Sequence, residues 1–331
     1  MNDIFVYMIK NVAVLMGGFS SEKDISFKSG EVIFKNIDKT KYKPFKIIIE
    51  KHKWYYTDKH KNEYDVCLND FSITLENKKI VFDAAFIIIH GSPGEDGLIQ
   101  SYLELKNIPF TGSNSYVSSL TFNKRDCISV LNKHNIPSAK SVQLNFGQPY
   151  SIEKIISRLG LPCFVKANRS GSSFGVFKVN KKEDLKGYIN QAFDFDNEIL
   201  IESYLNGIEV SVGVMNYKEE VKVFGITELI TENDFFDYDA KYNGKSKEIT
   251  PANISEKQKK LVSELSIKIY KKLGMKGFTR SEFIIIENEA YFLEINSIPG
   301  MTDESIFPKQ AKIQGISIKE LCNEMLSQAL N

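Results

Sequence analysis

Residues 277–302, GFTRSEFIIIENEAYFLEINSIPGMT, carry the pattern on which the reading of the fold rests. Two β-rich runs, 279–286 and 290–295, flank the polar break Glu287-Asn288-Glu289, and this arrangement predicts a hairpin. Side chains alternate along a strand, so Arg280, Glu282 and Ile284 should share one face, and Phe292, Glu294 and Asn296 one face of the partner. A turn with an odd number of residues, setting Ile286 opposite Ala290, also sets Glu282 opposite Glu294 and Arg280 opposite Asn296. Facing carboxylates repel, and one takes up a proton unless a cation lies between them. Two Glu and one Asn offer only oxygen, which suits a hard cation such as Mg²⁺ held jointly with phosphate. A solvated strand face is the plain alternative, but Phe283, Ile285, Leu293 and Ile295 make the runs too apolar for an exposed hairpin. The hairpin therefore reads as a metal site with Glu282, Glu294 and Asn296 as its ligands.

The surrounding chain of 331 residues is too long for one ordinary core, so two or three domains are expected. A formal charge of +1 gives no bulk reason to expect nucleic acid or an anionic membrane as partner. The only arginines are Arg125, Arg158, Arg169 and Arg280, so the guanidinium fork, hard to replace where a planar anion is gripped, is scarce. Cys67, Cys127, Cys163 and Cys322 form no CxxC pair and read as free thiols in a reducing compartment. No signal peptide opens the sequence and no apolar run is long enough to span a bilayer, which predicts a cytoplasmic protein.

Residues 11–16 (NVAVLM) predict a buried strand that runs into GGFSSE and a helix over 24–36. Strand, glycine turn and helix open a doubly wound α/β domain, whose ligands lie at the C-terminal ends of its strands. The third glycine of a dinucleotide fingerprint is missing. Further strands are expected at 44–50 and 84–89, with an antiparallel elaboration over 51–79. The strand at 84–89 empties into HGSPGEDG, residues 90–97, before a helix over 98–106, so two such loops converge on one crevice. A single helix over 115–134 would carry Lys124-Arg125-Asp126 at its middle, where a solvated helix face is an equal reading.

A strand at 161–166 ends in Lys166, followed by the small-residue loop ANRSGSS and a strand at 174–179. Such a loop offers backbone N–H groups to phosphate oxygens and the lysine adds a point charge, although no GK[ST] of a P-loop is present. Strands follow at 198–204, 210–215 and 221–229. Residues 232–251 should form a mobile loop large enough to close over a site, and 256–273 an amphipathic helix.

In combination these pieces resemble the D-alanine–D-alanine ligases of the ATP-grasp superfamily, from Val12 to about Leu326. The stretches that carry the resemblance are VLMGGFSSEKDISFKSG (14–30), HGSPGEDGLIQ (90–100), TFNKRDC (121–127), SGSSFGV (170–176), DYDAKY (237–242), GFTRSEF (277–283) and LEINSIPGMT (293–302). The resemblance implies an α/β ATP-grasp fold. An N-terminal Rossmann-like pre-ATP-grasp domain (1–118) would precede two α+β subdomains (119–208 and 209–331) that clasp ATP. It implies phosphorylation of one D-alanine carboxylate by ATP and attack on the acyl phosphate by the amine of a second, for peptidoglycan synthesis.

By the same resemblance Glu22 holds the first substrate's ammonium with Ser172 and Tyr242 in support, and Arg280 with the Gly300 N–H forms the oxyanion hole. Glu282, Glu294 and Asn296 bind two Mg²⁺ ions, with Mn²⁺ as a substitute. Lys124, Lys166 and Lys241 contact phosphates; Glu202, Leu205 and Glu209 line the adenosine pocket. Ser305 meets the second substrate's carboxylate and His90 lies near the reacting centre. The family also suggests a homodimer. Three positions depart from its commonest pattern: Glu282 stands for a frequent aspartate, Ser170 for an acidic residue and Ser203 for a lysine. Ligases that use D-lactate or D-serine as second substrate are the neighbouring alternative, although Lys241-Tyr242 looks like the dipeptide-forming type. A non-catalytic ATP-grasp binding protein should lack a metal ligand or the oxyanion arginine, and the sequence keeps both.

Overall fold

The computed structural model describes residues 9–231 and 246–331. The chain opens with strand β1 (Lys10–Gly17), helix α1 (Lys23–Asn36) and strand β2 (Tyr42–Ile49). Strands β3 (Trp54–Thr57), β4 (Glu63–Asp65), β5 (Ser72–Leu75), β6 (Lys78–Val81) and β7 (Ala84–Ile87) follow. The first sheet has the order β4-β3-β2-β1-β7, with β1 parallel to both β2 and β7. The expected antiparallel elaboration is β3 and β4 along the sheet edge, plus a separate β5–β6 hairpin. Ser26 fixes α1 over the sheet: its Oγ accepts the Gly17 N–H at 2.9 Å and donates to the Ile88 carbonyl at 2.7 Å. Gly17 itself has φ 101°, and a Cβ there would lie 2.8 Å from the Ile49 carbonyl oxygen, so the strand can enter its turn only as glycine.

Beyond α2 (Leu98–Leu105), the single helix expected over 115–134 is two helices, α3 (Ser115–Phe122) and α4 (Lys124–Lys133). Asn123 breaks them apart with φ −87° and ψ 98°, and its side chain accepts the Asp126 N–H at 3.0 Å. An asparagine that caps the second helix competes with continuation of the first. Lys124 consequently stands at the start of a helix instead of the middle of one.

A second sheet is built from β8 (Ser141–Asn145), β9 (Cys163–Ala167), β10 (Val176–Val179) and β11 (Glu198–Ser203), in the order β10-β9-β11-β8 and antiparallel throughout. Helices α5 (Ile152–Leu159) and α6 (Lys182–Phe193) cover it, closing a core around Val165, Leu185, Ile189 and Ile201. The strand expected from 174 begins only at Val176, because Ser172 and Ser173 occupy the left-handed region at φ 48° and 60° and end the pairing.

The third sheet contains β12 (Ile208–Tyr217), β13 (Glu220–Thr231), β14 (Ser246–Ile249), β15 (Phe278–Ile286) and β16 (Glu289–Asn296), ordered β14-β13-β12-β15-β16. Part of the loop expected over 232–251 is strand: β14 pairs antiparallel with β13 from Ser246 to Ile249. Helices α7 (Glu256–Leu273), α8 (Ile306–Ile313) and α9 (Ile318–Leu330) complete the chain. Buried residues of α3, α4 and α7 share one core with this sheet, whereas Phe307 of α8 and Leu321, Cys322 and Leu326 of α9 join the core of the first.

The hairpin reaches the expected facing of its carboxylates by another route. Ile286 pairs with Glu289, not Ala290, across a turn of even length; a bulge at Leu293 then restores the offset, so that Glu282 faces Glu294 and Arg280 faces Asn296. The extra residue also breaks the expected alternation. Phe292 does not share a face with Glu294: it pairs with Phe283 in the core, ring against ring at 6.0 Å, while Leu293 and Glu294 both border a cavity.

Candidate active site

Strands β9, β11, β12, β15 and β16 contribute to a chamber of about 440 Å³, lined among others by Lys166, Glu202, Leu205, Glu209 and Leu293. A second, of about 310 Å³, is lined by Glu22, His90, Ser172, Arg280, Asn296, Gly300 and Ser305. Lys124, Ser170, Glu282 and Glu294 border both, so the carboxylate pair of the hairpin stands in the common wall. Every site residue expected from the sequence lies on these chambers except Lys241 and Tyr242, which fall outside the described residues.

Each carboxylate of the pair has a cation beside it. Arg280 Nη1 donates to Glu282 Oε1 at 2.6 Å, and Lys124 Nζ lies 3.1 Å from Glu294 Oε2. Lys124 also donates to the Ser170 carbonyl at 2.6 Å, which seats it over the small-residue loop and excludes the solvated-face reading. Among the described residues no three His, Cys, Asp or Glu side chains cluster closely enough to hold a metal by themselves. A cation between Glu282 and Glu294 would need the Asn296 amide oxygen, which accepts the Ile298 N–H at 3.0 Å and keeps a second lone pair, together with oxygens brought by a ligand. The donor set is all oxygen and the two like charges oppose one another directly, so these residues fit a hard divalent cation.

In the larger chamber Lys166 Nζ pairs with Glu202 Oε2 at 2.6 Å. Burial pulls the Lys166 ammonium down, but the Glu202, Glu294 and Glu209 carboxylates outweigh it and hold the group above its ordinary value, so it stays charged. Glu202 is 2% exposed, and its Oε1 has no hydrogen-bond partner among the described residues. A buried acceptor without a donor is costly, and a ligand N–H would satisfy it.

In the smaller chamber the left-handed turn at Ser172 carries its hydroxyl onto the Glu22 carboxylate, to which it donates. His90 is buried, with Nδ1 2.8 Å from the Ile298 carbonyl and Nε2 3.2 Å from Ser29 Oγ. A carbonyl can only accept, so Nδ1 carries the proton and Nε2 accepts from Ser29, whose oxygen receives the Met301 N–H at 3.2 Å. Burial lowers the His90 pKa against the pull of Glu22, consistent with a neutral ring. Ser305 Oγ accepts the Thr302 N–H at 3.1 Å, at the head of α8.

Glu95, which lines this chamber, and Ser29, fully buried beside His90, were not assigned from the sequence. Glu95, 7% exposed, accepts N–H bonds from Gly91 at 2.8 Å and Ile298 at 3.4 Å; burial, then Glu22, pushes its carboxyl up to about 8. Ser29 links α1 to both His90 and Met301. Glu95 lies inside HGSPGEDG, so the motif marked its neighbourhood but not its inward direction; Ser29 has no local signal.

An open α/β sheet joined to two further α+β sheets, with a charged hairpin between two chambers, defines an ATP-dependent ligase of the ATP-grasp fold. The chain belongs to the D-alanine–D-alanine ligase family: residues 11–113 match its "D-ala D-ala ligase N-terminus" model and 131–327 its "D-ala D-ala ligase C-terminus" model. It is 52% identical over 322 residues to the D-alanine–D-alanine ligase of Flavobacterium johnsoniae, covering 97% of this chain and all of that one. The corresponding ligase of Christiangramia forsetii is 48% identical over 324 residues, covering 98% and 99%. Among solved structures, the VanG D-Ala:D-Ser ligase of Enterococcus faecalis superposes with a TM-score of 0.87 at 30% identity, covering 97% and 99% of the two chains. The Bacillus anthracis D-alanine–D-alanine ligase complexed with ATP gives 0.79 at 26% identity, covering 97% of each.

Proposed function

We propose that the chain joins two D-alanine molecules at the expense of ATP, through a D-alanyl phosphate, for peptidoglycan synthesis in the cytoplasm. The observation that carries this reading is the facing pair Glu282 and Glu294 in the wall shared by a nucleotide-sized chamber and a smaller polar one. A group bound in one can thus meet a group bound in the other. The choice of D-alanine is supported by the curated relatives at about half identity, which are named D-alanine–D-alanine ligases.

Mg²⁺, held by Glu282, Glu294 and Asn296 as two ions or replaced by Mn²⁺, would offset phosphate charge. Lys124, Lys166 and Lys241 add point charges to the phosphates, and Glu202, Leu205 and Glu209 seat the adenosine. Glu22, steadied by Ser172 and Tyr242, receives the ammonium of the first D-alanine, whose carboxylate oxygen attacks the γ-phosphorus as ADP leaves. The amine of the second D-alanine, held through its carboxylate by Ser305, attacks the acyl carbon. Arg280 and the Gly300 N–H bear the oxyanion until phosphate departs and the nitrogen loses its proton. Neutral His90 fixes the Ile298 carbonyl, and with it the segment that carries Gly300.

In this reading the chain divides into 1–118, 119–208 and 209–331 and pairs as a homodimer; the second sheet with α5 and α6 closes a core of its own, whereas α4 of the middle unit packs on the third sheet. Among the described residues no helix is long and apolar enough to cross a membrane.

The test is phosphate release from ATP with D-alanine alone, and with D-serine or D-lactate added. D-alanyl-D-alanine should form in step with phosphate. Preferential formation of the mixed dipeptide or the ester would overturn the choice of second substrate. Glu294→Gln should abolish turnover while leaving the melting transition in place, and near-normal activity in that variant would remove the metal assignment.

A further inference from the structure

Behind the Arg280 guanidinium lies a buried polar relay that none of these roles uses. Ser211 of β12 is completely buried and stands opposite Glu282 in the ladder. Its Oγ accepts from Arg280 Nη1 at 2.7 Å, the same nitrogen that donates to Glu282. The Ser211 carbonyl accepts from Gln310 Nε2 at 3.0 Å, and that nitrogen also donates to Thr227 Oγ1 at 3.0 Å. Thr227 in turn exchanges a 2.7 Å hydrogen bond with Thr250, which follows β14. Gln310, on α8, is fully buried and fills the space over Gly213 and Gly225, where an added Cβ would collide with its side chain.

We propose that Ser211 is a positioning residue that fixes the Arg280 fork for the developing oxyanion, and that Gln310 holds β12 in place behind it. The inference rests on the oxyanion role given to Arg280 above. An arginine side chain has many rotamers to lose, so a fork that must be in place before charge develops needs fixed acceptors. Arg280 has two among the described residues, Ser211 and Glu282. If Glu282 turns its carboxylate to a divalent cation, the Ser211 hydroxyl is the contact that keeps Arg280 aimed. Ser211 never touches the substrate in this scheme; it acts through Arg280.

The test is a double-mutant cycle of Ser211→Ala and Arg280→Ala, reading kcat and the KM for ATP from phosphate release on the full chain. Ser211→Ala should lower kcat roughly ten- to a hundredfold, the worth of a hydrogen bond to a charged group, with KM for ATP and the melting temperature little changed. In the Arg280→Ala background the same substitution should change kcat by less than about twofold. Ser211→Thr, which keeps the hydroxyl, should recover most of the loss, and the volume-conserving Gln310→Met should lower kcat in the same direction. An unchanged kcat in Ser211→Ala, or an equal loss in both backgrounds, overturns the proposal. Should Ser211→Ala fail to fold, Ser211→Cys and Gln310→Met decide by the same two criteria. Wild-type turnover in Arg280→Ala would instead refute the oxyanion role itself, which separates failure of that reading from failure of this one.

Discussion

The carboxyl of Glu95 ties the loop after β7 to the segment that leaves the hairpin, by accepting one N–H from each. Its pKa rises from 4.5 to about 8, through burial and then the nearby Glu22 charge, so the folded protein holds a proton there that the unfolded chain releases. The stability this group contributes is fully present below 4.5 and is lost as pH rises towards about 8. Glu95→Gln cannot titrate, so its urea midpoint, followed without metal or nucleotide, should fall less steeply than the wild type's across that window. An identical slope would place the proton elsewhere. At this scale the sequence was informative about position where the pattern is local: Glu22 and His90 follow strands that end in loops, Lys166 stands near the end of a strand and Arg280 is set by the alternation of the hairpin, whereas the roles given to Glu22, His90 and Arg280 came from the resemblance. It was silent on Glu95, Ser29 and Ser211, because what they do depends on partners far away in the chain.

Asn123 does two jobs as an element boundary, ending α3 and capping α4 through the Asp126 N–H. Removing such a cap costs about 1 kcal/mol, so Asn123→Ala should lower the unfolding free energy by about that much in chemical denaturation. A larger effect would mean that the break also supports the seating of Lys124 on the Ser170 carbonyl. The helix pattern of 115–134 hid this break, since one asparagine is tolerated in an apolar-periodic run. The bulge at Leu293 was hidden in a similar way: set between Phe292 and Glu294 in a run rich in apolar residues, an additional leucine leaves no mark on a strand already read as buried. The carboxylate pairing was nevertheless legible, because an even turn with one bulge and an odd turn without one bring Glu282 to the same partner. What differs is the fate of Phe292, which the bulge turns into the core.

On the scale of the molecule, the two ends of the described chain are packed together: Leu321, Cys322 and Leu326 of α9 sit in the same core as Val12, Val14 and Ile87. Leu326 is completely buried, and Leu326→Ala should cost about 2–5 kcal/mol and shift the N-terminal α/β part together with the C-terminal helices in one denaturation transition. Loss of α9 alone, seen as an early partial transition, would show that this packing does not couple them. The doubly wound opening was readable from strand, glycine turn and helix; the seating of α9 on it was not, because amphipathic periodicity says that a helix has a buried face but not which sheet receives it. The bulge has a mechanical consequence at this scale. Leu293 and Glu294 are consecutive and both border the larger chamber, so its apolar and ionic halves are joined by a single peptide unit. Movement of one sheet against another can open or close the chamber, but cannot stretch the spacing between those two contacts.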